Sequence, residues 1–255
     1  MDVVLPIGAG LCVGFLIGLT GMGGGALMTP FLLIVMKLNP VLAVGTDLVF
    51  AAVTKIVSGI QHRREKNVSL RAVLWMASGS VPASFLGAQF ILTQADNQRL
   101  IEEVLPRLLG GILIVVSLIL FARVFRWLGP REFVEVKWPA PWTLMIIGAI
   151  GGLLVGMTSI GGGTVIMALL LIFFSIPLNF MVGMDVAHGA LLAVLSASNY
   201  VIAGKVDVEL VTLLLIGSLP GTWLGAIIVK RVDMRLVRGL LALLILGAGI
   251  NLMIA

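Results

Sequence analysis

The residues able to do chemistry fall into two matched sets. Thr20, Gly21, Gly23, Gly24 and Gly25 form a glycine cluster with a hydroxyl at its edge. Thr158, Ser159, Gly161, Gly162, Gly163 and Thr164 form another. Three successive glycines let a ligand approach the backbone closely. A helix starting at such a cluster presents free N–H groups and the positive end of its dipole, which suits an anion. The two clusters therefore read as a substrate-binding site for a small anion. Close packing of helices through small residues is the plainer explanation for one cluster alone. Duplication and the flanking hydroxyls favour a site.

Asp47 and Asp185 lie inside apolar segments. A carboxylate at membrane depth costs at least about 2.5 kcal/mol on insertion scales, so it usually marks a pathway or proton relay. Each also sits near a segment start, two residues after Gly45 or Gly183, where it could cap a helix. His188 follows Asp185 by three residues, on the same helical face. A histidine beside an aspartate can exchange protons near neutral pH. Lys55 could add positive charge to an anion path, or snorkel toward the membrane surface. Asp47, Lys55, Asp185 and His188 are the candidates for proton coupling or for lining the pathway. Ser58, Ser196 and Asn199 could line the same interior, or bond their own helices.

These sets are matched because the chain repeats itself. A shift of 138 residues carries Gly18, Thr20, Gly23, Gly24 and Gly25 onto Gly156, Thr158, Gly161, Gly162 and Gly163. It carries Asp47 onto Asp185, Ser58 onto Ser196, and Gly79, Ser80 and Pro82 onto Gly217, Ser218 and Pro220. His188 and Lys55 break the match, since their counterparts are Phe50 and Ala193. An internal repeat in so apolar a chain points to a membrane transporter built from two copies of one unit.

The elements that must position these residues are ten apolar segments, five per half. They cover about 4–20, 22–38, 41–61, 69–93 and 104–127, then 140–158, 160–176, 179–203, 208–229 and 233–255. Spanning the hydrocarbon takes about 20 residues. The first two segments of each half are short or joined by a glycine cluster, and read as a re-entrant pair. The other three read as spans. The expected fold is an all-α polytopic membrane protein of two inverted-topology repeats. Each repeat holds a glycine-broken re-entrant helix pair and three spanning helices. Residues 1–127 form the first repeat, 128–140 a cytoplasmic linker, and 141–255 the second. Eight and ten crossings both invert the second copy. Pro82 and Pro220 kink their segments, next to a small-residue packing face.

Loop charges set the orientation. Gln61-His62-Arg63-Arg64-Glu65-Lys66 reads as cytoplasmic, whereas its counterpart near Lys205 is not basic. Residues 93–105 carry Asp96, Glu102 and Glu103 and read as outside. Arg123, Arg126, Arg131 and Lys137, and later Lys230, Arg231, Arg235 and Arg238, read as inside. Both termini then fall outside, in a multi-pass protein of the plasma membrane. Met1-Asp2 lacks the basic start of a signal peptide, so the first apolar run reads as a membrane segment.

Composition narrows the classes. Hydrophobic residues make up 60% of the chain and charged residues 11%, against roughly 45–50% and about 25% in soluble domains. The net charge of +5 sits in loop clusters and sets orientation, so no nucleic-acid partner is expected. Cys12 is the single cysteine and reads as packing. No cysteine–histidine cluster has metal-ligand spacing, and there is no phosphate-binding loop and no nucleophile elbow. The chain is expected to carry no metal or cofactor, to be no enzyme, and to draw no drive from ATP.

The stretches "GLTGMGGGALMTPFLL" and "GMTSIGGGTVIMALLL", each at the head of a half, resemble the sulfite exporter TauE/SafE family of membrane permeases. "VGTDL" with "VGMDV", "GSVPASFLGA" with "GSLPGTWLGA", and the tail "VDMRLVRGLLALLILGAGINL" resemble it too. The resemblance covers nearly the whole chain. It implies a secondary transporter for small sulfur-containing anions such as sulfite or sulfonates, commonly an exporter. The partners expected are a small anion, the bilayer, and a proton as the candidate coupling ion. The alternatives are an anion channel, or a membrane assembly partner with no substrate path of its own.

Overall fold

The computed structural model describes residues 3–20, 25–64, 69–124, 140–161, 164–173, 178–228 and 232–254. Lipid offers no partner for a free backbone amide, so the chain satisfies its backbone within helices. The first half holds α1 (Val4–Thr20), α2 (Gly25–Ile34), α3 (Pro40–Arg64), α4 (Leu70–Thr93) and α5 (Leu105–Val124). A π-helical turn at Arg99–Val104 leads into α5. The second half holds α6 (Pro141–Thr158), α7 (Val165–Phe173), α8 (Leu178–Ile202), α9 (Val208–Ile228) and α10 (Met234–Ile254). No strand occurs among the described residues.

Among the described residues six helical stretches are long and apolar enough to cross a membrane: Pro40–Val57, Arg99–Ala122, Pro141–Thr158, Gly183–Ile202, Val208–Ile228 and Leu236–Ile254. This differs from the sequence expectation in two places. The α6 helix, expected to be part of a short pair, is among the six. The α4 helix, expected to span, is not, although it has 24 residues. Its small and polar side chains, Ser80 and Ser84 among them, are buried against other helices. The α2 and α7 helices have only 10 and 9 residues. At 1.5 Å per residue each reaches about half of the roughly 30 Å hydrocarbon layer.

The helices pair across the halves. α1 packs along α9, and α4 along α6; these are the most extensive contacts in the molecule. Glycines make this possible. Gly10, Gly14 and Gly18 of α1 lie on the backbone of Leu214, Ser218 and Thr222 of α9. At the same offset, Gly148, Gly152 and Gly156 of α6 lie on the backbone of Met76, Ser80 and Ser84 of α4. A Cβ at any of these glycines would meet that backbone. Small residues thus let the helices touch, as membrane helices require when lipid gives no hydrophobic drive. Gly79 and Gly217 perform the same packing from the facing helices, against Met145 and Ile7. In both pairs the residue numbers rise together, so the helices run parallel.

Two further pairs join counterparts, and both run antiparallel. Gly45 of α3 lies beside Tyr200 of α8, whereas Lys55 of α3 lies beside Gly189. Gly110 of α5 meets Gly249 of α10, and the Ser117 hydroxyl donates to the Ala242 carbonyl at 2.7 Å. Buried side chains such as Leu48, Leu109, Leu113, Leu192, Tyr200 and Ile245 form the central core. Large apolar side chains such as Leu86, Trp223 and Leu236 face outward. The short helices enter between these pairs, α2 against α3 and α7 against α8.

Candidate functional site

The second glycine cluster is a genuine helix break. α6 ends at Thr158, and Ser159 takes a left-handed backbone with φ 62°. Its N–H donates to the Val155 carbonyl at 2.8 Å. The Thr158 hydroxyl donates to the Leu154 carbonyl at 2.6 Å and accepts from the Ile160 N–H at 3.2 Å. The chain restarts as α7 just after Thr164. In the first half, Thr20 closes α1, and its hydroxyl donates to the Leu16 carbonyl at 2.7 Å. Thr20 and Thr158 therefore both turn a hydroxyl back onto their own helices. Gly21, Gly23, Gly24, Gly162 and Gly163 lie outside the described residues.

The start of α2 meets this break. Gly25 lies against the Ser159 carbonyl, with the Asp47 carboxylate just beyond it. The two halves enclose a narrow cavity there. Gly25, Leu48, Ala51 and Lys55 line it from the first half. Ser159, Gly161, Thr164, Gly189, Leu192 and Ala193 line it from the second. The open space is about 10 Å³, room for about one water molecule.

Helical spacing brings the charged residues to the cavity. Asp47, Ala51 and Lys55 share one face of α3, four residues apart. Asp185, Gly189 and Leu192 share one face of α8. Asp47, Asp185 and His188 are fully buried, and Lys55 is 7% exposed. Lys55 crosses from α3 to place its ammonium beside Gly189. Asp185 and Asp47 are its carboxylate neighbours.

The two carboxylates are held differently. Asp47 accepts a hydrogen bond from the Thr29 hydroxyl of α2. The counterpart of Thr29 is Met167, which has no hydroxyl, and neither oxygen of Asp185 has a partner. His188 shares a 2.7 Å hydrogen bond between its Nε2 and the Ser80 hydroxyl of α4. In the other half, Phe50 replaces the histidine, and Ser218 is left without a partner.

Several buried polar atoms have no protein partner: Ser159 Oγ and Thr164 Oγ1 on the cavity wall, Asp47 Oδ1, both Asp185 oxygens and His188 Nδ1 on α3 and α8, and the Ser196, Ser218 and Thr222 hydroxyls besides. Each such atom costs about 1–3 kcal/mol when left unmade. Each such atom calls for an explanation, and a bound ligand is one that the hydroxyls on the cavity wall admit. Among the described residues no group of three metal-ligating side chains forms.

Most sequence-derived candidates thus converge: Gly25, Ser159, Gly161, Thr164 and Lys55 line one cavity, with Asp47, Asp185 and His188 around it. Asn199 instead accepts from Gln89 at 3.4 Å, and the Ser58 side chain lies outside the described residues. Sequence reading missed Thr29, Ser80 and Gly189. Ser80 was visible within a repeated motif but read as part of a kink. Thr29 and Gly189 carried no motif of their own.

Residues 6–252 match the family model described as sulfite exporter TauE/SafE. The chain is 37% identical over 247 residues to the probable membrane transporter protein YjnA of Bacillus subtilis (strain 168). That match covers 95% of this chain and 96% of that protein. A probable membrane transporter protein of Xylella fastidiosa (strain Temecula1) is 27% identical over 234 residues, 91% of this chain and 87% of that protein. One from Haemophilus influenzae is 25% identical over 213 residues, 79% and 75% of the two chains. No solved structure matches at a significant level.

Proposed function

The chain belongs to the sulfite exporter TauE/SafE family, and from that premise we propose that it is a secondary transporter for small sulfur-containing anions such as sulfite or sulfonates. The observation that carries this reading is the cavity shared by both halves, with Lys55 and the broken ends of α2 and α7 around it. The anion is held by the Lys55 ammonium, the Ser159 and Thr164 hydroxyls, and backbone N–H groups near the starts of α2 and α7. Helix N-termini suit this task because their dipoles favour negative charge. The glycines Gly21, Gly23, Gly24, Gly25, Gly161, Gly162 and Gly163 let the anion reach the backbone.

Transport proceeds by alternating access. The halves are inverted in the membrane, a reading supported by the antiparallel pairing of α3 with α8 and of α5 with α10. The α2 and α7 helices re-enter from opposite sides and meet near the midplane. Rocking of one half against the other opens the closed cavity to each side in turn. Asp47, Asp185 and His188 are the candidates for the coupling group. The basic loop after α3 faces the cytoplasm of a plasma-membrane protein, and both termini face outward.

The test is flux in proteoliposomes with sulfite, sulfoacetate, thiosulfate and sulfate, each with and without a pH gradient. Saturable, trans-accelerated flux of at least one sulfur anion is expected. No flux of any of them would undermine the substrate class, and flux without trans-acceleration would favour a channel.

A further inference from the structure

Asp47 and Asp185 are counterparts in sequence but not in surroundings. Asp47 has a donor in Thr29 and keeps one oxygen open; Asp185 has none, and both its oxygens are unpartnered in a fully buried position. Hydrogen bonds from a hydroxyl favour the ionised form of a carboxylate, and burial without donors favours the neutral acid.

The charged groups facing Asp185 are few. α3 contributes Lys55, which also faces Asp47, and α8 itself contributes His188, whose Nε2 is engaged by Ser80. α6 and α7 carry no ionisable side chain, and α4 carries only the exposed Arg71 near its start. Two carboxylates and one ammonium give the empty cluster one net negative charge. An anion arriving at Lys55 adds a further negative charge, and uncompensated buried charge is costly, so the anion must bring a proton with it.

We infer that Asp185 is the proton-binding carboxyl that couples proton movement to the anion cycle, whereas Asp47 is a fixed counter-charge for Lys55. The inference rests on the anion site proposed above. With the site open to one side, a proton from water bonds to an Asp185 oxygen as the anion engages Lys55. After the site opens to the other side, the anion leaves and that O–H bond releases its proton to water. Proton and anion bind cooperatively, because each relieves the charge the other leaves uncompensated, and the linkage is reciprocal. They move in the same direction, one proton for each anion.

The experiment uses the full chain in liposomes, with sulfoacetate as the anion and the membrane potential clamped at zero. Infrared difference spectra on anion addition should gain a protonated-carboxyl C=O band. Asp185→Asn should lose that band, and Asp47→Asn should keep it. A pH gradient should accumulate anion about tenfold per pH unit in the wild type. Asp185→Asn should exchange anion without that accumulation. Should Asp185→Asn fold poorly, Asp185→Glu should shift the band instead. A band lost in Asp47→Asn but kept in Asp185→Asn overturns the inference, as does tenfold accumulation by Asp185→Asn. Absence of wild-type counterflow for every anion sinks the anion site instead. Infrared difference spectra on acidification without anion then decide whether Asp185 takes the proton, a carboxyl band lost in Asp185→Asn supporting the inference and a band kept there overturning it.

Discussion

Lys55 of α3 places its ammonium in the space that Gly189 of α8 leaves open, so one glycine from the second half makes room for a cation from the first. A methyl group there must push the ammonium aside. Gly189→Ala improves intrinsic helix propensity by about 1 kcal/mol, so the helix itself is not weakened. The expected result is about a tenfold rise in KM for the anion, equivalent to roughly 1.4 kcal/mol, with the thermal midpoint unchanged or raised. Wild-type KM in this variant would argue against Lys55 as the anion's counter-charge.

The Thr29–Asp47 hydrogen bond is expected to be structural. Thr29→Val keeps the shape of the side chain and removes a hydrogen-bond donor from the buried Asp47 carboxylate. The cost should be about 1–3 kcal/mol. Met167→Leu at the counterpart position removes no hydrogen bond and should cost under about 1.5 kcal/mol. Chemical denaturation of the two purified variants in one detergent compares them. Equal stability would mean the Thr29 contact contributes nothing.

Much of this arrangement is legible in sequence. The offset of 138 residues pairs Asp47 with Asp185 and the two glycine clusters with each other, and it isolates Lys55 and His188 as the asymmetric positions. Apolar runs placed the helices within a few residues, because lipid makes the hydrophobic signal strong. What stayed hidden depends on contacts between distant segments. Thr29 looks like any threonine in an apolar helix until α2 folds back on α3. Gly189 looks like a lone glycine until Lys55 arrives from the other half. The polar character of α4 lowers its apolarity as a span, yet it is explained once α6 and α8 cover Ser80 and Ser84. The pairing of α1 with α9 is similarly unreadable from local pattern, although Gly10, Gly14 and Gly18 mark a small-residue face.

That pairing makes its own prediction. Gly14→Val and Gly152→Val place a branched side chain on the backbone of Ser218 and Ser80 respectively. Overpacking of this kind costs about 1–3 kcal/mol or more. Both variants should show a lowered thermal midpoint and loss of monodispersity. The size of the effect should be similar in the two, because the contacts are counterparts. A large loss in one and none in the other would contradict the equivalence of the two helix pairs.

The central claim is that the cavity between Gly25, Ser159, Thr164 and Lys55 binds the transported anion. The direct measurement is counterflow of labelled anion into preloaded proteoliposomes, comparing wild type with Gly25→Val at equal protein content. Gly25 adjoins both the Ser159 carbonyl and the Asp47 carboxylate, so valine fills the meeting point of the two halves. The account predicts trans-accelerated exchange in the wild type and at least about a tenfold loss in the variant, with the variant still inserted and monodisperse. Exchange by Gly25→Val at the wild-type rate would contradict it.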